Sequence, residues 1–341
     1  MTDYQSIQAM AQQLTQAMGV AGREDGAAQA AIELLRPLGQ PKLSPLGSVL
    51  CTINEGQPNA PHLMLEAHLD QIGMMVTRVE EDGFLRVANV GGLDRRLLPA
   101  SPVTVHTASG DYAAVVASVP PHLVEGEDKP LKMEDILVDT GFTTDHAKEL
   151  FAPGDSISLD GPLTALGENL LRSRAMDDRI GCVAVLLAAQ ELHKAAPRAK
   201  ITVALASMEE VGGVGASTAS FASAPDCAIA VDVSFANGFG VAPWKCGQMG
   251  DGPMIGVAPV LNNAMTDRLK ELAVRDGIPY QIEAMGGRTG TDADGIAGAG
   301  AGVATALLSI PLRNMHTVVE TIHMDDVANT ARLMAAFGKE L

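Results

Sequence analysis

Apolar residues recur at two different periods along this chain, and the change between them divides it. Ile7, Met10, Ala11, Leu14 and Met18 fall three to four apart, the spacing of one helical face, and Gly19 closes that helix. A second helix is predicted from about Glu24 to Leu35, ending at Pro37. Two strand-like runs follow, SVLCTIN and HLMLEAHL. After Asp70 short segments of strand character (GFLRVANV, VTVHTASGDYAAVVASV, DSISL) alternate with Gly, Pro and Asp turns until about residue 162. Within them Ser109-Gly110-Asp111 reads as a hairpin tip, about Thr143 to Leu150 as one short helix, and EGED at Glu125 to Asp128 as a solvated loop.

From Met176 strands and helices alternate. A helix over about Asp178 to His193 leads to KITVALAS, and a Gly-rich helical turn at Val211 to Ala222 leads to CAIAVDVS. Then come a helix near Met265 to Arg275, YQIEA, a helix near Asp292 to Ala299, VATALLSI and a last helix from Val327 to Phe337. Such alternation predicts an α/β fold with helices on both faces of a sheet. The catalytic α/β domain would be discontinuous, residues 1–69 and 163–341, split by a β-rich insertion over 70–162.

Composition narrows the function classes. At 47% hydrophobic and 19% charged the chain is globular, and with 3% aromatics its core rests on Ala, Val, Leu, Ile and Met. A net charge of −17 argues against a nucleic-acid partner, which needs clustered Lys and Arg. Cys51, Cys182, Cys227 and Cys246 form no CxxC pair, so neither a zinc knuckle nor a disulfide scaffold is expected. The N-terminus lacks a basic stretch followed by an apolar one, and no run reads as a membrane span. The expectation is a cytoplasmic protein with no membrane partner.

Candidate chemistry lies where polar residues interrupt apolar strands. In MLEAHLDQIGMMV, Glu66, His68 and Asp70 share one face of a strand that otherwise reads as buried. Asp177 and Asp178 stand where the chain enters a long helix, Glu209 and Glu210 follow a strand, Asp232 lies inside AIAVDVS, and His316 follows another strand. Each has an ordinary reading: Asp177 and Asp178 as helix caps, Glu209 and Glu210 as a solvated helix start, the histidines as satisfied core groups. Together, gathered at the strand ends where α/β folds bind ligands, they suit two divalent cations about 3.5–4 Å apart. Imidazole and carboxylate without thiolate favour zinc, cobalt or manganese over calcium. One glutamate of the pair can ligate while its neighbour stays free as a general base, and Asp70 can orient His68.

The blocks AHLDQIGMMV, VGGLDRRLLP, PPHL, MDDRIGC, MEEVGGVGA, AVDVS, GRTGTDA and IPLRNMHTVVE resemble, in this order, the M forty-two family of dinuclear metallo-aminopeptidases (TET, glutamyl-aminopeptidase or cellulase-M-like). The resemblance implies a mixed sheet flanked by helices, with a barrel-like inserted dimerisation domain and dimers assembled into a tetrahedral dodecamer. It implies His68 and Asp232 on one metal, Glu210 and His316 on the other, Asp177 bridging, Glu209 as general base and Asp70 orienting His68. The implied cofactors are two divalent ions per subunit, zinc first, with cobalt or manganese as alternatives. The implied reaction removes N-terminal residues from short peptides by metal-activated water. Gln71, Thr317, Val318 and His323 depart from the family pattern, but none of them replaces an implied ligand. Two further readings remain open on the sequence: a metal-dependent deacylase of N-acyl substrates, and a non-catalytic assembly protein stabilised by metal. Arg288 is a candidate for reading a carboxylate or for a surface salt bridge.

Overall fold

The apolar run HLMLEAH forms the strand His62–His68, in which every residue is buried, because it lies inside a sheet covered on both faces. It runs parallel to Lys200–Ala206 on one side and to Cys227–Phe235 on the other, and the latter runs parallel to Ala304–Arg313. These four strands are the centre of an 11-stranded mixed sheet in a computed structural model that describes residues 4–123 and 130–341. Lys42–Leu43 and Val49–Asn54 extend one margin; Glu320–His323, Leu170–Ser173 and Thr164–Leu166 extend the other. Met254–Val257 and Gln281–Ala284 branch from Ala304–Arg313.

Strand alternation sorts the two faces. Leu63, Leu65 and Ala67 point into one core with the helices Tyr4–Gln16, Asp25–Leu35, Met176–Ala195, Asn263–Asp276 and Met324–Glu340. Met64 points into a second core of small residues under the short helices Val214–Ser223 and Asp292–Ala297. Glu66 and His68 belong to this second face. The Ala-rich, aromatic-poor composition suits it, since Ala204, Ala206, Ala216, Ala219, Ala228 and Ala230 let the helices approach the sheet closely.

Between Gly73 and Leu159 six strands, Gly73–Val79, Phe84–Val90, Pro102–Thr107, Gly110–Val116, Leu137–Asp139 and Ser156–Leu159, close into a barrel with its own core. Closure leaves it no free strand edge. Thr107 pairs with Gly110 at the hairpin tip around Ser109, and the short helix is Thr144–Leu150. The EGED segment lies outside the described residues. The marginal strands Thr164–Leu166, Leu170–Ser173, Met254–Val257 and Glu320–His323 carry three or four residues each, too few for period-two alternation to stand out in sequence.

Arg179 ties the sheet to the N-terminal helix. It is fully buried, and its guanidinium donates to the carbonyls of Leu69, Leu14, Ala17 and Gly19. A Cβ on Gly19 would stand 2.3 Å from an Arg179 nitrogen, so the glycine closing the first helix also clears room for this side chain. The strand end that carries His68 is thereby fixed. Among the described residues no helix is long and apolar enough to cross a membrane.

Candidate dinuclear metal centre

Five of the acidic and histidine residues singled out in the sequence, His68, Asp177, Glu210, Asp232 and His316, converge near the carboxyl ends of the central parallel strands, with Glu209 and Asp70 beside them, whereas Glu66 and Asp178 do not join them. His68 is the last residue of its strand. Asp232 lies on the neighbouring strand, two residues beyond the last paired rung, Ala230 with Glu66, so the two strands part where these side chains face each other. Asp177 sits at the entrance of the helix Met176–Ala195 but is itself extended, with φ −75° and ψ 107°, which aims its carboxylate away from the helix amides. Asp178 takes the capping work, accepting from the Gly181 amide. Lys200–Ala206 ends before Glu209 and Glu210, and Met208, Gly212 and Gly213 turn the chain with positive φ so that both glutamates reach one side.

Asp177 offers one carboxylate oxygen to each histidine. Oδ1 lies 3.2 Å from His68 Nε2 and Oδ2 lies 3.4 Å from His316 Nε2. His68, Asp177 and Asp232 converge as one group of ligand atoms, and Asp177, Glu210 and His316 as another. Zinc bonds of about 2.0–2.1 Å at tetrahedral angles put neighbouring ligand atoms roughly 3.3–3.4 Å apart, so both spacings fit the edge of such a polyhedron. Glu209 belongs to neither group; its Oε2 is 4.0 Å from His68 Nε2. The donor set fits two divalent cations, because three carboxylates this close and this little exposed can all be ionised only with positive charge beside them.

The surrounding groups fix the ligating nitrogens. His68 Nδ1 lies 3.1 Å from the Asp70 carbonyl oxygen and 3.5 Å from its carboxylate, which leaves Nε2 for the centre. The Asp70 carboxylate instead accepts the amides of Glu209 at 2.9 Å and Glu210 at 3.0 Å, so it braces the glutamate pair as well as facing His68. His316 Nδ1 lies 2.6 Å from the carbonyl of Gly92, which lies between two strands of the barrel. Glu320 accepts the amides of Asp177 at 3.1 Å and His316 at 2.8 Å.

Proton affinities follow from burial against this mutual attraction. Burial raises the Asp232 carboxyl well above its usual range, and raises Glu210 and Glu320 to about 8. Burial would also raise Asp177, but the His316 and His68 imidazoles hold it down at about 2. Hydrogen bonding to Asp177 lifts His316 to about 9. For His68, burial acts downward and is outweighed by Asp177 and Asp70. Burial raises the Glu209 carboxyl above its usual range.

Several participants are not legible in the sequence. Among the described residues Glu66 meets neither a backbone donor nor an arginine: it is fully buried opposite Asp292, and the two carboxyls have no other hydrogen-bond partner. Such a pair is stable when it shares a proton, and burial raises both. Glu320 falls in the family-like block but has no strand-end position to mark it. Glu283 lines the catalytic cavity of about 490 Å³, together with Glu209, Glu210, Asp232 and His316. Arg288 is exposed, outside that lining and in no ion pair among the described residues. His323, where the family pattern has an acid, still does what an acid would do there, since its Nδ1 accepts the Asp325 amide and caps the last helix.

The profile of the M42 glutamyl aminopeptidases matches residues 47–333. A lysyl aminopeptidase of Pyrococcus furiosus is 35% identical over 330 residues, covering 95% of this chain and 94% of the relative. Among solved structures, an aminopeptidase of the archaeon Desulfurococcus kamchatkensis superposes with a TM-score of 0.91 at 32% identity, over 99% of this chain and 95% of that one. The TET1 peptidase of Pyrococcus horikoshii gives 0.88 at 29% identity, over 98% and 100%. Two ligand triads sharing one carboxylate, the closed barrel beside a mixed sheet, and the match over most of the length agree: the chain belongs to the M42 glutamyl aminopeptidase family.

Proposed function

We propose that this chain removes residues from the amino end of short peptides at a dinuclear metal centre. His68 and Asp232 would hold one ion and Glu210 and His316 the other, with Asp177 between them. The observation that carries the reading is the Asp177 carboxylate, which turns one oxygen to each histidine while Glu209 stays outside both ligand groups. The imidazole and carboxylate donors favour zinc, with cobalt or manganese as alternatives.

When bound, the ions supply Lewis-acid polarisation of the scissile carbonyl and of water. Glu209 takes the proton of the attacking water and returns it to the leaving amine. Asp70 holds the Glu209 and Glu210 backbones so that the base and the ligand keep their relative places. Glu320 does the same for Asp177 and His316.

Glu209→Gln tests the reading. The variant is expected to retain both ions by elemental analysis and to lose turnover by about 100- to 10,000-fold; near-normal turnover sinks the mechanism. A panel of aminoacyl-nitroanilides beside N-acetylated amino acids separates an aminopeptidase from a deacylase, because only the latter prefers the blocked substrates.

Self-association is part of the proposal. The Pyrococcus horikoshii peptidase is described as assembling into a tetrahedron or a large octahedral shell. We assign the barrel of this chain as its dimerisation domain and a dodecamer as the assembly, with exposed Phe235, Phe239 and Trp244 as apolar surface suited to contacts between copies. Light scattering reads the mass directly. Four unpaired cysteines support a reducing, cytoplasmic setting. Family membership leaves the removed residue open, since the family is named for glutamyl substrates and the Pyrococcus furiosus relative for lysyl ones.

A further inference from the structure

Among the described residues, the wall of the catalytic cavity carries one carboxylate that is neither in a ligand group nor the proposed base. Glu283 lies on the marginal strand Gln281–Ala284, and its two oxygens accept from the hydroxyls of Ser234 and Ser309. Ser309 is in register with Asp232 on the next strand, and Ser234 is two residues beyond Asp232 on the same face. With neighbouring strands about 4.8 Å apart and about 3.3 Å per residue along each, the carboxylate held by both serines lies along the wall roughly 5–7 Å from the Asp232 position. Leu307, Met285 and Met315 give the same cavity apolar lining.

We propose that Glu283 reads the side chain of the peptide's first residue and makes this cavity select Lys and Arg. The inference rests on the aminopeptidase reading above. A lysine stem of four methylenes extends roughly 6 Å, matching the span from a reacting centre near Asp232 to the Glu283 carboxylate. Its methylenes lie on the apolar wall while its ammonium meets the carboxylate, the usual division of labour for a long cationic side chain. Two hydroxyl donors orient Glu283 yet leave further lone pairs on each oxygen for a substrate cation. The remaining acids of the lining are the ligand carboxylates and the base, and among the described residues no Lys or Arg lines the cavity to hold an acidic side chain. An N-terminal glutamate would therefore meet like charge, and a neutral side chain would gain only the apolar contacts.

The test is kinetic, on zinc-loaded full-length protein with Lys-, Arg-, norleucine- and Glu-nitroanilides. Norleucine supplies the four-carbon stem without the charge. Wild type is expected to favour Lys and Arg over norleucine by about tenfold or more in kcat/KM, with Glu slowest, and raised salt should shrink the ratio. Glu283→Gln should collapse the Lys-to-norleucine ratio toward one, mainly through KM, and Glu283→Asp should restore part of it. Thermal unfolding checks that both variants fold. Equal ratios in wild type and Glu283→Gln overturn the inference while the aminopeptidase reading stands. A uniform loss on all four substrates also overturns it, by placing Glu283 at the α-amine or in the scaffold. Failure on all four, with turnover of N-acetylated amino acids, overturns both readings together.

Discussion

His68 and Asp232 stand on neighbouring buried strands, whereas Glu210 and His316 come from loops beyond the strand ends. The difference shows in exposure: the His68 side chain is 2% accessible and the His316 side chain 31%. It shows in the props as well. His68 needs little beyond its strand and Asp70, while His316 sits at φ 61° and depends on Glu320 for its amide and on Gly92 for its ring. A ligand on a sheet inherits the rigidity of the ladder; a ligand on a loop must be held by groups brought from elsewhere. One half of the centre is thus built into the mixed sheet, and the other is completed by the stretch of chain that forms the barrel.

The largest effect should come from the residue both halves share. Asp177→Asn removes anionic donation from both ligand groups, so neither ion should survive gel filtration, and activity should fall more than about 1,000-fold. Normal retention of the His68-side ion would show that Asp177 serves one half only. Next, Glu320→Ala leaves the amides of Asp177 and His316 without their acceptor. Calorimetric titration of chelator-stripped protein should show the His316-side ion weakened about 10- to 100-fold, more than the other. Equal weakening of both ions would erase the distinction between the halves.

A smaller effect is expected from Gly92→Ala. The added methyl would stand 2.9 Å from His316 Nδ1, pushing the ring out of place, and about tenfold loss of the His316-side ion is expected with the His68-side ion unchanged. Unchanged affinity at both sites would free the ring from the Gly92 carbonyl. The mildest probe is pH. The Glu210 carboxyl at about 8 and the His316 imidazole at about 9 both hold protons at neutral pH, and both must lose them to ligate. Ion uptake on that side should therefore release protons at pH 7 and strengthen as pH rises toward about 9. Affinity that falls over this range would reverse the sign and refute the assignment.

The strand-borne half was legible because its signals are local. His68 and Asp232 each break an apolar run, and period-two alternation places Glu66 and His68 on one face without any tertiary information. The loop-borne half was legible only through residue types and their order, since no periodicity says that residues beyond Ala206 and beyond Arg313 turn toward the same point. Glu66 shows the limit from the other side. Its face was readable, but its partner was not, because Asp292 heads a helix 226 positions later and an acid facing an acid contradicts the ordinary expectation of a cation.

The sequence by itself determined the alternation of strands and helices, the β-rich interruption, and the set of residues able to hold metal, because those follow from short-range periodicity and donor chemistry. Asp177 as the shared acid came from the family resemblance, whereas only the tertiary structure showed how it stands between the histidines, which acids brace them, and which one faces the substrate cavity. Asp177, Glu320 and Glu283 are the same functional group in sequence. They differ only in what the fold places opposite: two imidazoles, two backbone amides, or two serine hydroxyls beside an open cavity. The Gly92 carbonyl, 224 positions from the ring of His316, carries no side-chain signal at all. Its role exists because chain closure brings the two together.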